Sequence, residues 1–392
     1  MRRIRYFIFL RDVFLLATTA FGGPQAHLAL YIDLLVIKRR YVSESELLEY
    51  YALCQMLPGP TSTQTITAVA FKYGGPVLAY LTLLIWMIPA FILLTGTAIT
   101  ILHLDQKDFH IDFTRFITPM AIGYISYSAY KISFKIIQSR RGIFLMIISA
   151  AIAFFIQSPY VYPLILIFGG AVTAIKYKRH AIEEKGRFKV VWLNFVVWLG
   201  VLIFAVVIAN TTDFLPLRLF EKFYRNGSLV FGGGQVLLPL LFGEFVANKQ
   251  QFLTAEELLT GYSLVQAVPG PVFSFASYVG VFTMKDYNIG WQIFGAFMAS
   301  AGIFLPGTFL IFFVSRFWEE LKKYRIIKAS LEGIQAASAG MIAAAAFILF
   351  QPLENTFVNF GIMIGTFLVL LFTKIPSPFI IIAGLIAGFI IK

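Results

Sequence analysis

Thr61, Ser62, Thr63 and Gln64 place three hydroxyls and a carboxamide directly after Pro58-Gly59-Pro60, inside an apolar segment about as long as a bilayer is thick. Proline removes a backbone donor and clashes with the preceding turn, and glycine frees the chain to reverse. A helix running through 44–73 must therefore stop at 58–60 and start again. A helix that starts at membrane depth exposes unpaired N–H groups and the positive end of its dipole, and both attract an anion. Broken backbone survives at that depth only where it lines a cavity or binds something. The expected chemistry is recognition of a small anion, with no cofactor and no metal.

The signature recurs. Gln55-Met56-Leu57-Pro58-Gly59-Pro60 returns as Gln266-Ala267-Val268-Pro269-Gly270-Pro271, followed by Val272, Phe273 and Ser274, a less polar turn. A second kind of break occurs at Gly22-Gly23, with Gln25 beyond it, and again at Gly232-Gly233-Gly234, with Gln235 beyond it. These glycines permit close backbone approach. The candidate binding set is thus Gly22, Gly23, Gln25, His27, Gln55, Gly59, Thr61, Ser62, Thr63 and Gln64, with Gly233, Gly234, Gln235, Gln266, Gly270 and Ser274. One such motif alone would read as tight helix packing. Four motifs, paired and each carrying a glutamine, point to a site.

Few ionisable groups lie within the spans. His27 follows the first glycine break, where the second copy has Leu237. It either carries a proton or contacts the substrate, or it is simply held by a backbone carbonyl. Asp33 and Glu244 read as interfacial ion-pair partners, Asp33 with Arg39 or Arg40. Lys72 reads as the basic end of a half-helix, and Cys54 as an apolar filler. Enzyme signatures are absent: there is no nucleotide-binding glycine loop, metal-ligand spacing or nucleophile elbow. Uphill transport would have to draw on an ion gradient.

The positioning elements follow from composition. The 392 residues are 59% hydrophobic and only 13% charged, against about 25% in a soluble domain, which makes the chain a polytopic membrane protein. The net charge of +12 sits in short connections between apolar runs, a topogenic pattern that argues against a nucleic-acid partner. The single cysteine excludes an internal disulfide. After the interrupted element 7–37 and the interrupted element 44–73, continuous runs cover 76–103, 113–135, 143–157 and 160–176. A basic loop and a lone span over 190–209 lead to a restart, interrupted at 217–247 and 254–284, then continuous over 288–316, 328–350, 356–372 and 377–391.

The restart is a duplication. At an offset of 210, Phe21, Gly22, Gly23, Gln25 and Leu28 meet Phe231, Gly232, Gly233, Gln235 and Leu238. At 211, Glu46, Tyr51, Gln55, Pro58, Gly59 and Pro60 meet Glu257, Tyr262, Gln266, Pro269, Gly270 and Pro271. At 217, Pro89 and Gly123 meet Pro306 and Gly340. The first repeat is 1–176, the basic loop and linker span occupy 177–216, and the second repeat is 217–392. If each interrupted element is a re-entrant hairpin and the amino terminus is cytoplasmic, 24 of the 32 Lys and Arg fall inside and 8 outside. That bias favours inverted repeats. The expected fold is all-α, with two inverted-topology repeats whose broken half-helices meet near the midplane around a cavity.

The motifs Phe21-Gly22-Gly23-Pro24-Gln25-Ala26-His27, Lys38-Arg39-Arg40-Tyr41-Val42, Gln55 to Pro60, Phe231 to Val236 and Gln266 to Pro271 resemble the chromate ion transporter family in its long, two-domain form. The match spans both halves. It implies a multi-pass protein of the prokaryotic inner membrane that exports chromate, with sulfate as a close analogue and proton-linked exchange. The partners are then a small inorganic oxyanion, protons and the lipid bilayer, with a homodimer left open. Asp33 stands where the family pattern has glutamate, and the second copy is leaner in hydroxyls. These departures leave the choice of oxyanion open. A passive anion channel and a non-transporting membrane subunit are the alternative readings.

Overall fold

The computed structural model describes residues 2–21, 23–105, 116–136, 139–156, 161–175, 191–231, 234–247, 251–317, 325–351, 356–373, 375 and 377–390. The described residues form helices and connections, with no strand among them. The first copy contains α1 (Arg2–Thr19), α2 (Gly23–Tyr31) with a π-helical extension (Ile32–Lys38), and α3 (Glu44–Met56). It continues through α4 (Thr61–Asp105), α5 (Ile117–Ile136), α6 (Arg140–Phe155) and α7 (Val161–Ala174). After α8 (Leu193–Thr211) come α9 (Leu215–Leu229), α10 (Gly234–Phe245) and α11 (Ala255–Ala267), then a 3-10 turn (Val272–Ser274) and α12 (Phe275–Thr283). The chain ends with α13 (Ile289–Val314), α14 (Arg325–Phe350), α15 (Phe357–Phe372) and α16 (Ser377–Ile390).

Local chemistry sets the boundaries, and it does so in register between the copies. Ser43 and Glu46 form a capping box at the start of α3, and Thr254 and Glu257 form the same box on α11, 211 residues later. Ser139 caps α6 and Thr356 caps α15, 217 residues apart. Within α4 the backbone leaves helical geometry at Gly75 (φ 79°, ψ −169°), just before Pro76, so its two parts meet where the sequence places the end of one element and the start of the next.

The interior joins the copies. One apolar cluster draws Leu94, Ile125 and Tyr162 from the first copy into contact with Phe223, Tyr262, Phe304 and Ile342 from the second, and another sets Phe9, Val69 and Trp86 against Ile311 and Phe312. α14 crosses α7 at Gly333 and Gly169, where a Cβ on Gly169 would stand 2.6 Å from the opposing carbonyl. α4, α8 and α13 are long and apolar enough to cross a bilayer. Most of α8 is exposed, presenting Leu193, Val196, Ile203, Phe204 and Val207, a surface suited to lipid and not to water.

The ion pairs correct one expectation. Asp33 pairs with Lys38 at 2.7 Å, not with Arg39 or Arg40, because the wider π-helical turn brings residue i+5 over residue i. Arg39 instead reaches back to the buried Asp12 of α1 (2.8 Å), which also accepts from the Tyr41 hydroxyl at 2.7 Å. In the second copy the bracing partners differ. Lys222 of α9 stands at the equivalent of Asp12, and it bonds Glu244 of α10, which lies near the place equivalent to Asp33. Glu244 also accepts from Arg225 at 3.1 Å, and Arg225 holds Glu221 at 2.8 Å. Lys72 pairs with Glu46, and Cys54 is fully buried.

Candidate functional site

Each helix interruption is bonded to an interruption of the other copy. The Gly59 amide donates to the Val230 carbonyl at 2.8 Å, and Val230 ends its helix two residues before Gly232. The Gly270 amide donates to the Ala20 carbonyl at 2.8 Å, and Ala20 lies two residues before Gly22. Gly59 and Gly270 are sequence equivalents, as are Ala20 and Val230, so the two bonds exchange under the duplication. Both glycines hold φ near 113°, a conformation that strains any residue with a Cβ. The packing behind them exchanges too. A Cβ on Gly59 would lie 3.1 Å from the Gly307 Cα in α13, and one on Gly270 would lie 3.1 Å from the Ala90 Cβ in α4. Ala90 and Gly307 are equivalents that follow Pro89 and Pro306.

Beyond the first break, the Gln64 amide donates to the Pro60 carbonyl at 2.9 Å as the opening bond of α4. The backbone N–H groups of Thr61, Ser62 and Thr63 have no acceptor among the described residues, as expected of the first turn. All four side chains are buried. Gln64 has a bracing role: its Nε2 donates to the Pro58 carbonyl (2.8 Å) and the Gly307 carbonyl (3.0 Å), which ties the break to α13. Its Oε1 is buried without a partner among the described residues. Thr63 accepts from the Trp86 indole N–H at 3.2 Å, and the Ser62 carbonyl accepts from the Tyr31 hydroxyl at 3.1 Å.

His27 joins this group. Its ring meets Trp86 edge-on at 5.5 Å, and Trp86 meets Tyr31 at 5.7 Å. Its Nε2 lies 3.2 Å from the Ala20 carbonyl, the same oxygen that accepts from Gly270. A carbonyl only accepts, so Nε2 carries the hydrogen and Nδ1 is the bare nitrogen. Nδ1 has no partner among the described residues, and the residue is fully buried. The simpler reading, a histidine held by a backbone carbonyl, therefore accounts for one ring nitrogen and not the other.

The other candidates spread more widely. Gly23 (φ 78°) and Gln266 are half-buried, Gln55 is exposed, and Ser274 is buried with a hydroxyl that has no partner among the described residues. Gly234 packs so tightly that a Cβ would stand 2.7 Å from the Val272 side chain. Gly22, Gly233 and the side chains of Gln25 and Gln235 lie outside the described residues. Tyr31 and Trp86, which connect His27 to the Thr61–Thr63 turn, escape sequence reasoning because isolated aromatics in apolar spans carry no signal. Ala90 and Gly307 could have been found, since the repeat alignment marks the prolines beside them.

The copies meet at the breaks by direct contact, since the Gly59 and Gly270 amides are taken by carbonyls of the opposite copy. Of three cavities among the described residues, the first adjoins the Val230 end of this joint. One of about 350 Å³ borders Leu229, Phe231 and Ile334, one of about 430 Å³ borders Ile92, Thr97 and Leu264, and one of about 610 Å³ borders His103, Lys285 and Gln292.

Comparison with known proteins gives a consistent assignment. A probable chromate transport protein of Synechococcus elongatus is 28% identical over 96% of this chain and 93% of that protein. An uncharacterized transporter of Methanocaldococcus jannaschii is 25% identical, covering 96% and 92%. A chromate transport protein of Cupriavidus metallidurans is 23% identical, covering 96% and 90%. No solved structure matches. The chromate transporter family model matches twice, over residues 7–175 and 217–389, once on each side of α8, and the chain belongs to that family.

Proposed function

We propose that this membrane protein is a secondary transporter that exports a tetrahedral divalent oxyanion, chromate or its analogue sulfate, by proton-coupled alternating access. Its two repeats, 1–176 and 217–392, are of inverted topology, with re-entrant half-helices and the amino terminus on the cytoplasmic side of the inner membrane. The unpaired N–H groups and hydroxyls of Thr61, Ser62 and Thr63 replace the hydration shell of the anion, and the contacts between the breaks hold an occluded conformation.

The observation that carries this reading is the exchange of equivalent bonds between copies, Gly59 to Val230 and Gly270 to Ala20. Two halves that clasp each other at their helix breaks can release one clasp at a time, which is the requirement of alternating access. Each released glycine amide joins the donors beside it. The names of the relatives supply chromate as the first substrate to try.

The test is uptake of radiolabelled chromate and sulfate into proteoliposomes, with and without an imposed pH gradient. Accumulation above equilibrium that depends on the gradient is expected, together with a loss of affinity of roughly a hundredfold or more in Thr61→Val combined with Ser62→Ala, from two lost hydrogen bonds to a charged ligand. Flux that never exceeds equilibrium would make the protein a passive channel. An absence of binding by either ion would remove the anion site.

A further inference from the structure

The two clasps differ chemically. Val230 receives the Gly59 amide, and the residue in the position of His27 in that copy is Leu237, which is apolar and fully buried. Ala20 receives both the Gly270 amide and the His27 Nε2–H. One clasp therefore carries a titratable group and its mirror image does not.

The surroundings of the His27 ring limit what it can do. Tyr31, from its own helix, lies at 6.5 Å, and Trp86, from α4, at 5.5 Å. Behind Tyr31 stand Tyr51 and Cys54 of α3. No charged side chain contacts the ring among the described residues. A neutral imidazole leaves only a lone pair unpaired at Nδ1. An imidazolium in the same place has an unsatisfied N–H and an uncompensated charge in apolar surroundings, which costs far more. Proton uptake at Nδ1 therefore needs a negative partner brought in from outside. Trp86 stands between His27 and Thr63, touching one and bonding the other, so an oxyanion seated at the Thr61–Thr63 turn would supply that negative charge across the indole, in apolar surroundings that screen it little.

We infer that His27 binds one proton at Nδ1 when an oxyanion occupies the Thr61–Thr63 turn, so that proton and anion enter together and only the Ala20 clasp responds to pH. This rests on the anion site proposed above. Each ligand then raises the affinity for the other by the same factor. The charge on the ring also strengthens its Nε2–H bond to the Ala20 carbonyl, the oxygen that it shares with the Gly270 amide, so protonation acts directly on that clasp. Co-binding moves the proton and the anion in one direction with a net charge of one per divalent anion, so the export proposed above would be driven by the membrane potential and not by exchange against protons.

The test is calorimetric titration of the purified full-length protein with sulfate and with chromate, in buffers of different ionisation enthalpy, between about pH 6 and 8, the range in which an imidazole titrates. Sulfate keeps its charge throughout, so protons taken up belong to the protein. The expected result is uptake rising to about one proton per bound anion, with His27→Gln binding within about tenfold of wild type and taking up none. The Gln carboxamide can still donate to Ala20, and His27→Asn serves as a second variant if it misfolds. Anion binding by wild type with no proton uptake overturns the inference and leaves the anion site standing. So does uptake unchanged in His27→Gln. Failure of both ions to bind wild type removes the anion site and this inference with it.

Discussion

The Gly59 amide and the Val230 carbonyl, 2.8 Å apart, join the proline break of one copy to the glycine break of the other, and Gly270 and Ala20 repeat the bond with the copies exchanged. A single such contact could be incidental packing. Its repetition between residues equivalent by duplication means that the fold uses one joint twice. The joint sits on backbone atoms, so side-chain divergence between the copies leaves it intact. That explains how the second copy can lose the hydroxyls of Thr61 and Ser62 to Val272 and Phe273 and still close.

Substitution of the joint glycines follows directly. At φ near 113° any Cβ is strained by about 1–3 kcal/mol, and at Gly59 it also approaches the Gly307 backbone at 3.1 Å. Gly59→Leu and Gly270→Leu are each expected to abolish transport while the protein still inserts in the membrane. The check is radiolabelled uptake alongside quantification of the protein in membrane fractions. Transport unchanged by either variant would contradict a role for the joint.

The ion braces predict unequal outcomes at near-equivalent positions. Glu244 is 2% exposed and compensates both Lys222 and Arg225. Glu244→Gln removes the buried carboxylate that the half-buried Lys222 is bonded to and leaves Arg225 with Glu221, at a cost of up to about 3 kcal/mol. Asp33, near the equivalent place, has a side chain 53% exposed and a partner, Lys38, that is 61% exposed, so Asp33→Asn is expected to cost no more than about 1 kcal/mol. Thermal unfolding of the two detergent-purified variants measures the difference. Equal melting temperatures would show that the Glu244 cluster is solvated and not a structural brace.

Much of this was legible in the sequence, for physical reasons that also mark where legibility ends. Pro58-Gly59-Pro60 and Pro269-Gly270-Pro271 announce helix breaks because proline and glycine act on their own backbone, and every apolar run longer than a bilayer announces a helix. The alignment of the copies predicts which residues are equivalent, and the paired capping boxes at Ser43 and Thr254 follow from it. What a residue touches across the fold is a different matter. Gln64 looks like a ligand because its carboxamide follows a helix start, yet its donors go to Pro58 and to Gly307, 243 residues away. Asp33 looks like a partner for Arg39, and only the π-helical turn reveals Lys38 as the nearer cation. Trp86 gave no signal at all, since its role depends on the position of Thr63, 23 residues earlier, once both are in place.

The orientation of the repeats can be decided by chemical labelling of equivalent positions. Ser45 and Glu256 are both exposed residues in the first turns of α3 and α11, 211 residues apart. In a parallel duplication they face the same side of the membrane, and in an inverted one they face opposite sides. The sole native cysteine, Cys54, is fully buried, so Cys54→Ala provides a background in which an introduced thiol is the only target. Ser45→Cys and Glu256→Cys, each made in that background and treated with a membrane-impermeant maleimide on intact cells, are expected to differ. Glu256→Cys should react from outside, and Ser45→Cys only after the membrane is opened. Both positions lie in the turn next to a capping box and not in it, so the helix starts should survive the change. Reaction of both from the same side would mean that α8 does not invert the second copy. The clasp between the breaks would then have to be explained by two copies that share one orientation.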